Sequence, residues 1–120
     1  MSEAEMLAAV AERAVAKWRS IVDVGDVQIA VQIGDVSAYS GQEGALGFTA
    51  GSPDGKSAII AIDPKAAESA AGIEHIVLHE MIHVAHGVRF PNEECKSEAF
   101  EWVVDELAYA LAREHERLLA

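Results

Sequence analysis

The sequence predicts an α+β fold: an N-terminal helix, a small sheet of about three strands, then two helices packed antiparallel. Three observations predict it. Apolar residues recur at helical spacing from Glu3 to Ile21, alternate with polar or small ones from Val27 to Ile33, and return to a helical pattern beyond Asp63-Pro64.

Each element follows from its own residues. Leu7, Val10, Ala14, Trp18 and Ile21 mark one face of a first helix, with Ser2 placed to cap it. Gly25 and Asp26 break that pattern. Val27, Ile29, Val31 and Ile33 then point one way and Gln28, Ala30 and Gln32 the other, the period-2 pattern of a half-buried strand. Residues 35–44, with Gly41 and Gly44, read as loop, and Ala45–Ala50 as a weaker strand. The turn formers Gly51-Ser52-Pro53-Asp54-Gly55 predict a hairpin into the short apolar strand Ala58–Ile62. From Asp63-Pro64 onward the pattern is helical, interrupted by Gly87–Asn92, with Asn92 before Glu93 and Glu94 as the cap of the last helix.

Composition bounds what such a fold can do. Of 120 residues, 51% are hydrophobic, enough for a real core. No flexible linker, repeat or low-complexity tract divides residues 1–120, so a single domain is expected. Lys and Arg number 9 against 20 Asp and Glu, a net charge of −11, which disfavours a role built on nucleic-acid phosphates. The start Met-Ser-Glu-Ala-Glu-Met is acidic where a secretory leader is basic, and no apolar run reaches the roughly 18 residues of a membrane span. Cys95 is the single cysteine, so no intrachain disulfide forms. A cytoplasmic location is expected from these features.

The chemistry concentrates in His79-Glu80-Met81-Ile82-His83, an H-E-x-x-H segment flanked by apolar residues. On a helix, residues four apart lie one above the other with Cβ atoms about 5–6 Å apart. Two imidazoles so placed can converge on one zinc ion at about 2.0–2.1 Å each. Glu80 points roughly 100° away from its neighbour and can serve as general base towards water. A catalytic zinc commonly takes three protein ligands, so one more is required. The following helix carries Glu94, Glu98, Glu101 and Asp105 along one face. Packed antiparallel, that acidic face would look at the histidines.

These two motifs resemble the gluzincin branch of zincin peptidases, most closely its minimal, ImmA/IrrE-like or phage-type members. In that branch the second helix carries E-x-x-A-[DN]-x-F-A, and Glu101-Trp102-Val103-Val104-Asp105-Glu106-Leu107-Ala108 is similar to it, with Val104 for the small residue and Leu107 for Phe. The resemblance covers residues 74–110 by motif. It implies that Glu101 is the third zinc ligand beside His79 and His83; Glu98, which shares the face one turn earlier, is held in reserve on helical register alone. It also implies that Asp105 accepts a hydrogen bond from a zinc-bound histidine. The expected function is zinc-dependent hydrolysis of peptide bonds, with Glu80 moving the proton and a protein or peptide as substrate. The alternative is a zinc-containing regulatory or binding module without peptidase activity. Neither oligomeric state nor substrate sequence is legible.

Several residues stand beside this reading. His86 extends the row His75, His79, His83 but lies two turns beyond His79, so a place at the rim is expected. His75 reads as a helix-start or buried polar group, and Cys95 as a small buried apolar residue. Tyr39 and Tyr109 could assist at a developing oxyanion, but neither is placed by pattern alone. An exposed sheet edge at residues 45–50 could hold substrate as an added strand.

Overall fold

The computed structural model of the chain describes residues 2–37, 45–68, 70–90 and 98–119. Helix α1 spans Glu3–Arg19 and opens on a capping box: the Glu5 amide donates to the Ser2 hydroxyl at 3.1 Å, and the Ser2 amide donates to the Glu5 carboxylate at 3.3 Å. Glu3 and Glu5 in its first turn and Lys17 and Arg19 in its last complement the helix dipole. It buries Ala11, Ala14, Val15 and Trp18, while Leu7 and Val10 are partly buried. Ile21 does not continue the stripe. The helix stops at Arg19, Ser20 caps it, and Ile21 is 45% exposed, so Val22 and Val24 take the buried places instead. Gly25 follows with φ +66°, its amide held by the Asp23 side chain at 2.9 Å.

Strand β1 is Gln28–Ile33, β2 is Gly47–Gly51 and β3 is Ser57–Ile62. β1 alternates exposed and half-buried residues as its sequence pattern requires. The order is β1-β3-β2, with β1 parallel and β2 antiparallel to the central strand. β3, flanked on both sides, is accordingly the apolar one, with Ala58, Ile60, Ala61 and Ile62 buried. The predicted hairpin joins β2 to β3. The Ser52 amide donates to the Ser57 carbonyl at 2.9 Å, and Gly55 turns the chain at φ +71°. β2 starts two residues later than the Ala45 boundary, and the carbonyl of Leu46 accepts from the Asp63 amide at 2.9 Å.

Asp63 ends β3 and is buried, its carboxylate accepting from the amides of Lys65 at 2.9 Å and Val36 at 3.4 Å. Pro64–Glu68 is a 3-10 turn rather than the start of the α-helix. Helix α2 runs Ala70–Arg89, so Gly87 and Val88 belong to its last turn and not to the expected break. The end is held from outside: Arg89 donates to the carbonyls of Ala85 and Asp23, and the Phe90 amide donates to the His86 carbonyl at 2.8 Å. The expected cap at Asn92, with Glu93 and Glu94, lies outside the described residues, as does Cys95.

α2 presents Ile73, Val77, Leu78, Met81 and Val84 to α1 and the sheet. Helix α3, Glu98–Leu119, packs on α2 and buries Val104 and Ala108. Residues rising along α2 meet residues falling along α3 (His75 with Tyr109, His79 with Asp105, His83 with Phe100), so the pair is antiparallel. The α+β layout is as the sequence predicts. Among the described residues no helix is long and apolar enough to cross a membrane.

Candidate metal centre

The histidines of α2 and one face of α3 meet across the interhelical groove. His79 and His83, one turn apart, have ring centroids 5.0 Å apart. Between them reaches Glu101: one carboxylate oxygen lies 2.9 Å from His79 Nε2 and the other 2.9 Å from His83 Nε2. One ligand atom from each of the three residues falls within 4.8 Å of the others. The two imidazoles are mostly buried, whereas Glu101 is half exposed.

Two imidazole nitrogens and a carboxylate are a set that divalent zinc favours. Tetrahedral bonds of about 2.0–2.2 Å place ligand atoms roughly 3.4 Å apart, so the 2.9 Å contacts would have to open slightly to admit an ion. Asp105 supplies what such a set needs behind it. Its Oδ1 lies 3.3 Å from His79 Nδ1 and 2.8 Å from His75 Nε2. An ion would take the place of the Nε2 proton that the 2.9 Å contact with Glu101 requires, and Asp105 would then hold the other proton of His79 on Nδ1. Partial burial pushes the Asp105 carboxyl up, but the hydrogen bonds and charges of His75 and His79 outweigh it and hold the group below the usual carboxylate range.

Glu80 leans the other way, onto β2. It is 6% exposed, and the Thr49 hydroxyl donates to its Oε1 at 2.7 Å. Oε2 lies 4.0 Å from His79 Nε2, so the carboxylate borders the three-residue cluster without joining it. Burial pushes the Glu80 carboxyl up, and the Thr49 hydrogen bond and the charges of His79 and His83 oppose that shift. β2 approaches closely enough that only glycine fits at 47. A Cβ there would meet Ile76 Cγ2 at 2.5 Å and Glu80 Oε2 at 3.1 Å.

The structure thus brings His79, His83 and Glu101 together, with Glu80 and Asp105 beside them. Glu98, in the first turn of α3, is not in the cluster. His86 packs between Phe90 and Phe100, with centroids 5.0 and 4.9 Å away, at the rim. Tyr109 stacks on His75 at 4.0 Å, behind the Asp105 bridge and away from Glu80. Glu94 and Tyr39 lie outside the described residues.

Sequence reasoning missed Gly47 and Thr49, and it gave His75 no task. For His75 a signal existed, since it is one turn before His79 on the same face. For Gly47 and Thr49 none did, because only the pairing of β2 with β3 carries them over α2. Comparison with known protein families, with curated proteins and with solved structures finds no match.

Proposed function

We propose that the protein is a zinc-dependent peptidase of the gluzincin type, acting on a protein or peptide in the cytoplasm. The observation that carries this reading is the convergence of His79, His83 and Glu101 from two helices, with a buried carboxylate, Glu80, at their border. When bound by those three residues, zinc supplies Lewis acidity that acidifies water and polarises a carbonyl oxygen.

The chain's own groups do the rest. Glu80 Oε1 is engaged by Thr49, which leaves Oε2, on the side of His79, to take a proton from the attacking water. Burial raises its affinity for that proton, so Glu80 can hold it and then pass it to the leaving amine. Asp105 keeps His79 in one tautomer, and His75, stacked on Tyr109, keeps Asp105 in place. Among the described residues β2 pairs only with β3, and an extended peptide added along its other edge would run past Thr49 and Glu80.

Zinc content measured together with hydrolysis of a denatured-proteome peptide mixture tests the reading. The Glu80→Gln protein is expected to keep zinc and lose about 10²–10⁴-fold in rate, while His83→Ala and Glu101→Ala lose the metal. Absence of zinc from protein dialysed against it overturns the proposal. Zinc retained by wild type with no cleavage, alone or with cell extract, favours the regulatory module instead.

A further inference from the structure

Beside the cluster lies a cleft of about 510 Å³, open to solvent and bordered by His83. Its wall is mainly aliphatic: Val24 and Val27 ahead of β1, Pro53 in the hairpin, Ala58 at the start of β3, and Val84 and Val88 on α2. Asp26 and Lys56 are its charged lining residues. The volume falls within the range of about 300–1,000 Å³ typical of small-ligand sites. It exceeds what one packing defect leaves in a core.

Position along β2 ties the cleft to the chemistry. Thr49 touches Glu80, and Gly51, two residues further on and paired with Ala58, lines the cleft. A strand advances about 3.3 Å per residue. A peptide extended along β2 with its bond at Glu80 therefore reaches the cleft one or two residues away, where alternate side chains point towards α2.

We propose that this cleft is the specificity pocket of the site and takes an aliphatic or aromatic side chain of the substrate, within two residues of the bond presented to Glu80. The inference rests on the peptidase reading and adds to it a substrate class: peptides with an apolar residue at that position. Selection follows from chemistry, since the four valines, Pro53 and Ala58 gain by excluding water from an apolar side chain, with Asp26, Ser52, Lys56 and Ser57 as the polar part of the lining.

Gly87 provides the test. It lines the cleft from within α2, and a Cβ placed there meets no atom within 4 Å, so Gly87→Phe adds a bulky side chain at the lining without a clash at its first carbon. Replacing a helical glycine does not weaken the helix. Fold and zinc content should persist. Zinc-loaded wild type should cleave peptides with Leu, Ile, Met or Phe within two residues of the scissile bond about ten- to hundredfold faster than those with Ser or Gly there. Gly87→Phe should erase that preference. Cleavage without an apolar preference, or a preference that survives Gly87→Phe, overturns the pocket and leaves the peptidase reading standing.

A second readout needs no catalysis. In methyl NMR spectra, N-acetyl-leucine methylamide should shift the methyls of Val24, Val27, Val84 and Val88 in wild type, N-acetyl-serine methylamide should not, and neither should act on Gly87→Phe. Shifts in a protein that cleaves nothing support the pocket and count against the peptidase. Methyls unmoved by the leucine compound at millimolar concentration overturn the pocket.

Discussion

The carboxylate of Glu80 receives its hydrogen bond from Thr49 at Oε1, and that single contact aims the other oxygen towards the histidines. A hydrogen bond to a charged group contributes about 1.5–3 kcal/mol. Thr49→Val should therefore lower kcat/KM by about ten- to hundredfold with zinc content unchanged, while Thr49→Ser should restore most of the rate. Because the Thr49 bond opposes the upward push of burial, its loss raises the Glu80 carboxyl further. The acid limb of the pH–rate profile should then move to higher pH in Thr49→Val and not in Thr49→Ser. On the far side of the cluster, Asp105→Asn keeps the shape but removes the charge facing His75 and His79. Zinc affinity should fall about 10–100-fold, measured by competition with a chromogenic chelator. The folded carboxyl of Asp105 lies below its ordinary value of 3.8, so its contribution to stability is complete at neutral pH and lost as pH falls through and below that value. Urea midpoints of the zinc-free protein should decline less steeply with acid in Asp105→Asn.

At the scale of elements, α3 is the least anchored of the three helices. Among the described residues it fully buries Val104 and Ala108, whereas α1 buries four and α2 five apolar residues. Trp102, Val103 and Leu107 on α3 are exposed. Its attachment rests on Ala108 with the partly buried Leu111 and Ala112, on the Phe100 and Tyr109 ring contacts, and on the polar contacts of Glu101 and Asp105 with the histidines. An ion joining Glu101 to His79 and His83 would bind the two helices together. Hydrogen exchange of α3 amides should slow on zinc addition in wild type and not in His83→Ala. An exchange pattern indifferent to zinc would place the ion elsewhere. β2 contributes differently, by approach rather than by burial. Gly47→Ala drives a methyl against Ile76 and Glu80, so overpacking should cost about 1–3 kcal/mol in the urea midpoint.

For the molecule as a whole, α1, the sheet and α2 supply most of the core, and α3 closes it with Ala108. Zinc that binds the folded state and not the unfolded chain adds stability by mass action, about 2.7 kcal/mol at 100 times its Kd. The melting temperature should rise with zinc concentration and return on chelation, and Glu80→Gln should show the same rise because Glu80 is outside the ligand cluster. The charge of −11 surrounds a site whose proposed ion is cationic, which favours capture of the metal and of basic or neutral peptides over acidic ones.

What the sequence determined by itself is what one element can express alone. The His79–His83 pairing is set by the pitch of a single helix, the alternation of β1 by the pleat of a single strand, and the β2–β3 turn by Gly55. The motif resemblance points to Glu101 and keeps Glu98 in reserve, but the pattern of one helix does not decide between two carboxylates on the same face. α3 carries apolar residues on two adjoining faces, and burial selects Val104 and Ala108 over Val103 and Leu107. That choice fixes the rotation of α3 and with it which carboxylate reaches the histidines. The parallel pairing of β1 with β3, the seat of Glu80 against Gly47 and Thr49, and the valine-lined cleft likewise appeared only in the tertiary structure. Each joins segments distant in the chain, and no local pattern records which face of one element another will cover.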